Sequence, residues 1–361
     1  VVTASAPAAA LGVTVRVATD ADRQAWDAFV AASARDRRGA LTTVGSSYHD
    51  WAWREIFSGA LGHECVYLVA QDAQGRICGV LPLVFIRSRL FGRSLTSLPF
   101  VNYGGVLAES DGVARTLVDA ARAEAARLGS RHVELRHVGR RFPDLPCKQH
   151  KVVMRLPIGP GMWEILDRKV RNQIRKAEKS GLTAARGGAE LAGAFYTVFA
   201  RNMRDLGTPV YARSLFDRVL AAFPDRARIV VVSLKGTPVA AGLTYRTADM
   251  TEVPWASSIR DYNPLCPNHL LYWTILEAAV ADGCSELDFG RSTPDEGTYK
   301  FKAQWGAEPL PLHWEYALHE GAAMPDQSPK NPKYQVAIAA WQRCPLWLAN
   351  TLGPHIVRSI P

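Results

Sequence analysis

The sequence predicts an α/β protein built from two copies of one domain, each a mixed central sheet flanked by helices. Three observations predict it. The first is a helix, glycine, strand unit that occurs twice. An alanine-rich amphipathic helix over Gly112–Leu128 stops at Gly129 and gives way to a strand at His132–His137; a helix over Asn268–Asp282 stops at Gly283 and gives way to Ser285–Phe289. Gly129 and Gly283 lie 154 positions apart, as do Glu134 and Asp288, so both copies carry an acid at the same step. The second is a β-hairpin ahead of each helix, turning at Asp72-Ala73-Gln74-Gly75 in one half and at Lys235-Gly236-Thr237-Pro238 in the other. Gly75 and Gly236 are 161 apart, which implies a loop of different length. The third is size, since 361 residues, 48 % of them hydrophobic, suffice for two cores. A period this long marks a duplicated domain and not a solenoid.

The remaining elements follow in order. Val13–Val17 reads as a strand, Asp20 caps a helix running to Ala32, and Trp51–Phe57 is helical. The first hairpin has strands Cys65–Ala70 and Ile77–Ile86, and a closing strand is expected at Val152–Leu156. The boundary is expected near Pro157, giving a first domain over 1–157. A second domain over 158–320 opens with a basic helix inside Gly161–Gly181, then helices at Glu190–Arg204 and Arg213–Phe223 and the hairpin Ile229–Leu234 with Val239–Arg246. From Gly321 the composition turns to Pro, Lys and Asn, then to an apolar segment with Trp341, Pro345, Leu346, Trp347 and Leu348. This tail, 321–361, is expected to pack on the core, with a membrane surface as the alternative resting place.

Lysine and arginine outnumber acids by 43 to 34, a formal net charge of +9, and Arg168, Lys169, Arg171, Arg175, Lys176 and Lys179 crowd into one stretch. Such a stretch suits an anion: a nucleotide-sugar phosphate, tRNA or an anionic membrane face. Six cysteines without a CxxC pair and nine histidines without an HExxH spacing point away from zinc and from a disulfide framework, toward buried thiols in a reducing compartment. The opening VVTASAPAAALG lacks a basic n-region, and no window approaches the ~20 apolar residues that span a bilayer. The expected location is cytoplasmic, with peripheral association at the inner face of the membrane.

Two stretches carry chemistry. In Asp288-Phe289-Gly290-Arg291-Ser292, followed by Gly297-Thr298-Tyr299-Lys300-Phe301-Lys302-Ala303-Gln304-Trp305-Gly306, a strand end delivers polar groups and a basic-aromatic turn to the carboxyl edge of a sheet, where α/β proteins build sites. In Val170-Arg171-Asn172-Gln173-Ile174-Arg175-Lys176-Ala177-Glu178-Lys179, the bases Arg171, Arg175 and Lys179 recur every four residues on one helical face, which either grips a phosphate or is a solvated surface.

These stretches resemble known proteins. RNQIRKAEKSG is similar to the motif that opens the second half of Fem-type transferases, and NHLLYWTILEAAVADGCSELDFGRS with GTYKFKAQWGAEP resembles their C-terminal signature, nearest to the FemAB-like branch associated with exosortase (PEP-CTERM) systems and to the BioF2-like acetyltransferase domain. The resemblance runs from about Tyr48 onward and implies two tandem domains of GNAT (N-acetyltransferase) type with a cleft between them. It implies an enzyme that moves an acyl or aminoacyl group onto the amine of a cell-envelope precursor, in peptidoglycan or exopolysaccharide synthesis. No tightly bound cofactor is implied; the co-substrate is aminoacyl-tRNA or acyl-CoA. Phe301-Lys302 matches the family's Phe-Lys pair, whose lysine stabilises the intermediate. Arg171 and its neighbour Arg175 match the basic entry near the acceptor's phosphates, and Tyr103-Gly104-Gly105 resembles a loop lining the acceptor pocket.

The chemistry agrees with that reading. An amine attacking an ester or thioester throws negative charge onto the carbonyl oxygen, and a pre-placed cation in a dry cleft stabilises it by ~3 kcal/mol or more. Lys302 is the candidate cation, and Arg291 at the strand end with Tyr299 and Phe301 on the turn are candidate substrate-binding residues. Asp288 is a candidate base for the attacking amine, and equally a strand-end cap or lysine partner. The Arg/Gln-x-x-Gly-x-Gly/Ala turn that cradles a CoA pyrophosphate has no good match; Arg136-His137-Val138-Gly139-Arg140-Arg141 comes nearest and fails at its last position. Other readings are a non-catalytic basic protein binding tRNA or nucleotide sugar, and an acyl-CoA-dependent N-acetyltransferase acting on a small amine. Hydrolysis by a serine nucleophile has no Gly-x-Ser-x-Gly elbow to rest on.

Overall fold

A computed structural model describes residues 12–35, 47–88, 91–325 and 332–360. In chain order these form β1 (Thr14–Val17), α1 (Arg23–Arg35), α2 (Ala52–Leu61), β2 (Glu64–Gln71), β3 (Ile77–Ser88), β4 (Gly92–Ser97), β5 (Leu107–Ala108), α3 (Asp111–Arg127), β6 (His132–Val138) and β7 (Cys147–Pro157). There follow α4 (Met162–Ile165), α5 (Arg168–Lys179), β8 (Leu182–Gly187), α6 (Ala192–Asp205), α7 (Arg213–Ala222), β9 (Ala227–Leu234), β10 (Thr237–Thr247) and β11 (Met250–Ser258). The chain ends with α8 (Pro267–Ala281), β12 (Glu286–Ser292), α9 (Gly297–Ala303), β13 (Glu308–Leu318), α10 (Pro332–Gln342) and α11 (Leu346–Val357).

The chain divides into two compact units. The first holds the elements up to β6 and takes back the chain from Pro311, so most of β13 belongs to it. Its strands run in the order β1-β2-β3-β4-β6-β13, antiparallel except for the short parallel pairing of β4 with β6. The second unit spans His150–Leu310 with the C-terminal helices, and its order is β8-β9-β10-β11-β12-β7, again with one parallel pair, β11 with β12. Apart from the two-residue β5, which pairs with β3 of the first unit, each unit thus contains strand, two helices, three strands, helix, strand. The duplication is placed to the residue: Thr96↔Glu134 is the last rung of one parallel ladder and Glu252↔Asp288 the last of the other. The two acids spaced 154 apart occupy equivalent rungs.

Two features depart from the pattern expected of the sequence. Strands β4, β5, β8, β11 and β13 add to the expected elements. Val152–Leu156, expected to close the first half, lies in β7, which pairs with β12 of the second unit, while β13, at the end of the second half, pairs with β6 of the first. Alternating apolar residues specify a strand but not its partner. The tail helices group with the second unit.

Local chemistry explains the central helices. Ser110 caps α3 by accepting from the Val113 N–H at 3.3 Å, and α3 buries Val113, Leu117, Val118, Ala121 and Ala125 against its sheet. Gly129 and Gly283 close α3 and α8 with φ of +64° and +79°, a left-handed turn that a side chain would strain. Helix α5 buries Val170, Ile174 and Ala177 at spacings of four and three, which leaves Arg168, Lys169, Arg175 and Lys176 exposed and Arg171 at the edge, half-buried.

Candidate active site at the turn from β12 to α9

The second unit's parallel ladder is short. It joins Met250–Glu252 to Glu286–Asp288, whereas β11 continues to Ser258 and β12 to Ser292, so the two strands part company beyond Asp288. On its other edge β12 pairs with β7 through a register shift between Asp288↔Arg155 and Arg291↔Val153, where Gly290 takes φ +77°. One extra residue has been inserted there, a bulge that re-aims the strand end.

Asp288 holds this bulge. Its side chain is fully buried; Oδ1 accepts from the Gly290 N–H at 2.7 Å and Oδ2 accepts from Arg155 Nε at 3.2 Å. Asp288 thus caps the bulge and pairs with Arg155, and its charge also acts on Lys302. Lys302 closes the corner from α9. Its Nζ donates to the carbonyl oxygens of Gly290 at 3.0 Å and Arg291 at 3.1 Å, and the residue is only 6 % exposed. An ammonium has three N–H donors, and two are accounted for among the described residues. Burial brings Lys302 down to about 8; the charge of Asp288 works against that fall and Arg291 adds to it.

The neighbours of Lys302 have structural partners of their own. Phe301 packs edge-on to His269 at 5.1 Å between ring centroids and lies 5.4 Å from Tyr272, while Tyr299 is half-buried against the same core. Arg291 is half-buried on β12. On α5, Asp167 caps the helix by accepting from the Lys169 N–H at 2.6 Å. Arg175 is exposed with its guanidinium 5.2 Å from the centre of the Trp163 ring, and Arg171 is half-buried with its Nε buried and unpartnered among the described residues.

Helices α5, α8 and α9 meet at residues that sequence reasoning missed. The Cys266 thiol donates to Gln173 Oε1 at 2.6 Å, and Gln304 Nε2 lies 3.4 Å from His269 Nε2. Burial, helped by the charge of Lys169, pushes His269 down to about 4, so this imidazole is neutral at physiological pH. Its place on the first turn of α8, one residue past Asn268, was the only signal available. The bases of α5 and the turn bearing Lys302 therefore share one unit, with the start of α8 touching both through Cys266 and His269.

The first unit treats the equivalent position differently. Beyond Thr96↔Glu134, the space beside β6 is taken by the chain itself: the Arg136 N–H donates to Ser97 Oγ at 2.8 Å, the Gly104 N–H to the Arg136 carbonyl at 3.0 Å, and the Val106 N–H to His137 Nε2 at 2.9 Å. Arg136 is buried, bonded to Glu134 at 2.7 Å and to the Pro99 carbonyl at 2.5 Å, and His137 Nδ1 bonds Glu315 at 2.7 Å. A Cβ on Gly105 would lie 2.1 Å from the His137 ring, so only glycine lets the loop pass so near β6. Tyr103 is buried in this loop, edge-on to Tyr48 at 5.5 Å, and lines a small cavity with His49 and His137. The sequence Arg136–Val138 is strand, not the turn ahead of a helix that a pyrophosphate cradle requires. Among the described residues, no group of His, Cys, Asp and Glu is placed to hold a metal, and no helix is long and apolar enough to cross a membrane.

Residues 166–303 match the family described as acetyltransferase (GNAT) domain. Among solved structures, FemX superposes with a TM-score of 0.61 at 15 % identity, covering 83 % of this chain and 96 % of that one. A tandem GNAT protein from the clavulanic acid biosynthesis pathway gives 0.52 at 13 % identity, with 84 % and 96 % covered. L-PGS from Bacillus licheniformis gives 0.51 at 11 %, with 82 % and 98 % covered. No curated protein matches the chain in sequence. At such identities the likeness is one of fold, and the fold is two tandem GNAT-like α/β domains.

Proposed function

We propose that the protein transfers an acyl or aminoacyl group from an activated donor to the amine of a cell-envelope precursor, and that the second unit carries the chemistry. The observation that supports this most is the buried ammonium of Lys302, held by two carbonyls at a bulge where β11 and β12 diverge. A crevice at the carboxyl ends of parallel strands is where open α/β sheets take ligands. When the amine attacks the donor's carbonyl carbon, the C–N bond forms as charge collects on oxygen; the remaining N–H of Lys302 is the donor offered to it. Collapse breaks the C–S or C–O bond, and the proton given up by the former amine passes to the departing thiolate or alkoxide, which leaves as thiol or alcohol. Asp288 and Arg155 act by fixing the bulge that aims those groups. Arg171 and Arg175 bind the acceptor's phosphates, Arg291 and Tyr299 flank the donor, Phe301 packs behind Lys302, and Tyr103 lines a pocket of the first unit.

The match of residues 166–303 to an acetyltransferase domain favours a CoA thioester as donor. A second donor, aminoacyl-tRNA, is favoured by one observation: no glycine lies between Gly242 and Gly283, so the turn that opens α8 at Cys266 has no glycine-built cradle for a pyrophosphate. The likeness to FemX and L-PGS agrees with an envelope acceptor. The deciding experiment is a thermal-shift series with CoA thioesters, aminoacyl-tRNA analogues and nucleotide sugars, in which the true ligand raises the melting temperature by linkage. With that donor, Lys302→Ala is expected to lower kcat about 100-fold or more while leaving donor binding nearly intact. Unchanged turnover would remove Lys302 from the mechanism.

A further inference from the structure

Seven large hydrophobic residues are exposed among the described residues, and four of them, Val336, Trp347, Leu352 and Ile356, lie on α10 and α11. Exposed apolar groups scattered singly need no account, but this concentration in two short helices does. Both helices are firmly seated. Ala349, Gly353 and Val357 bury one face of α11, and a Cβ on Gly353 would lie 2.9 Å from the Val210 backbone nitrogen. Ile338 of α10 packs over Gly207, and Arg204 Nη1 donates to the Cys344 carbonyl at 3.0 Å. What remains outside on α11 is Trp347, Thr351, His355 and Arg358 along one side, with Leu352 and Ile356 at the opposite edge of the exposed face, about 140° and 180° round the helix from Trp347.

The charge of this segment is one-sided. No Asp or Glu occurs from Gln327 to Pro361, while Arg343, His355 and Arg358 are exposed. We propose that the exposed face of α10 and α11 docks on an anionic phospholipid bilayer, Trp347 entering the headgroup boundary from one edge of α11 and Leu352 from the other, while Arg343 and Arg358 meet lipid phosphates. An amphipathic face with tryptophan, aliphatic residues and arginine is what a helix lying in the interface requires. Helices of 11 and 12 residues are too short to cross. A second copy of the chain is the poorer occupant, because a two-fold contact would set Arg343 and Arg358 against themselves without an acid to pair them.

The choice of a lipid surface accords with an envelope acceptor, but the test involves no transfer and stands or falls apart from that reading. The protein is co-sedimented with vesicles of phosphatidylglycerol in phosphatidylcholine and with vesicles of phosphatidylcholine alone. Binding is expected to the anionic vesicles, to fall with salt, to weaken about tenfold in Trp347→Ala, and to lose its lipid preference in the double variant Arg343→Glu, Arg358→Glu. Leu352→Ser serves as a second apolar probe, and all variants should melt with the wild type since the changed side chains are exposed. Equal binding to neutral vesicles, no binding at all, or a concentration-dependent dimer that Trp347→Ala disperses would each overturn the proposal.

Discussion

At the scale of single residues, the buried ammonium of Lys302 sets the pH behaviour. Its folded value of about 8 lies below the ordinary 10.5. Over that window the unfolded chain holds the proton more tightly, so this group opposes folding at neutral pH and its penalty fades as pH rises toward the unfolded value. An electrophilic role needs the proton. We therefore expect kcat to fall as pH rises through about 8, although the acceptor amine becomes a better nucleophile in the same range. Lys302→Arg should keep a reduced rate but carry that fall to far higher pH, because a guanidinium stays charged. A wild-type kcat still climbing well above pH 8 would contradict the assignment. The Lys302 position was legible from the sequence as a basic residue on a turn after a strand. Its acceptors were not, since Gly290 and Arg291 contribute backbone carbonyls that no side-chain pattern announces, and Arg155 and His269 reach the site from elements distant in sequence.

Elements with a clear period were readable and those without one were not. Helix α3 announces itself by spacing, α8 by the length of its apolar run and both by a terminal glycine, and the hairpins by alternation and turn residues. Strand β4, with the sequence GRSLTS, is short and polar, and its last four residues are buried without alternation. Strand β11 has Pro254 in its interior and Glu252 buried at the end of the ladder, both of which argue against a central strand. These two strands make the two parallel pairs, and the candidate site rests on that of β11 with β12. The loop after β4 is the element that distinguishes the units, and its passage at Gly105 is testable: Gly105→Ala sets a methyl against the His137 ring and is expected to destabilise by about 2 kcal/mol. Chemical denaturation would report it, and an unaltered midpoint would mean that the loop does not hold the path described.

For the molecule as a whole, duplication was legible because helix, glycine and strand recur at one offset, whereas the trade of last strands was not, because the pattern of β7 names no partner and β13, with Pro309 and Pro311, does not read as a strand. A boundary near Pro157 would therefore cut a fragment that keeps β7 and lacks β13. Residues 1–157 expressed alone should fail to give a cooperative thermal transition, since β6 lacks the partner running from Leu312 to Leu318. A sharp two-state melt from that fragment would show that the first unit is complete without it.

That exchange also sets a timetable for synthesis. As the chain leaves the ribosome, β6 emerges long before the strand that will cover it, and the loop to be closed spans almost the entire second half. The first unit must wait, with one flank of its sheet bare, until the C-terminal third has been made. Refolding from denaturant should on this account be slow and concentration-sensitive, with aggregation through the bare flank as its main competitor.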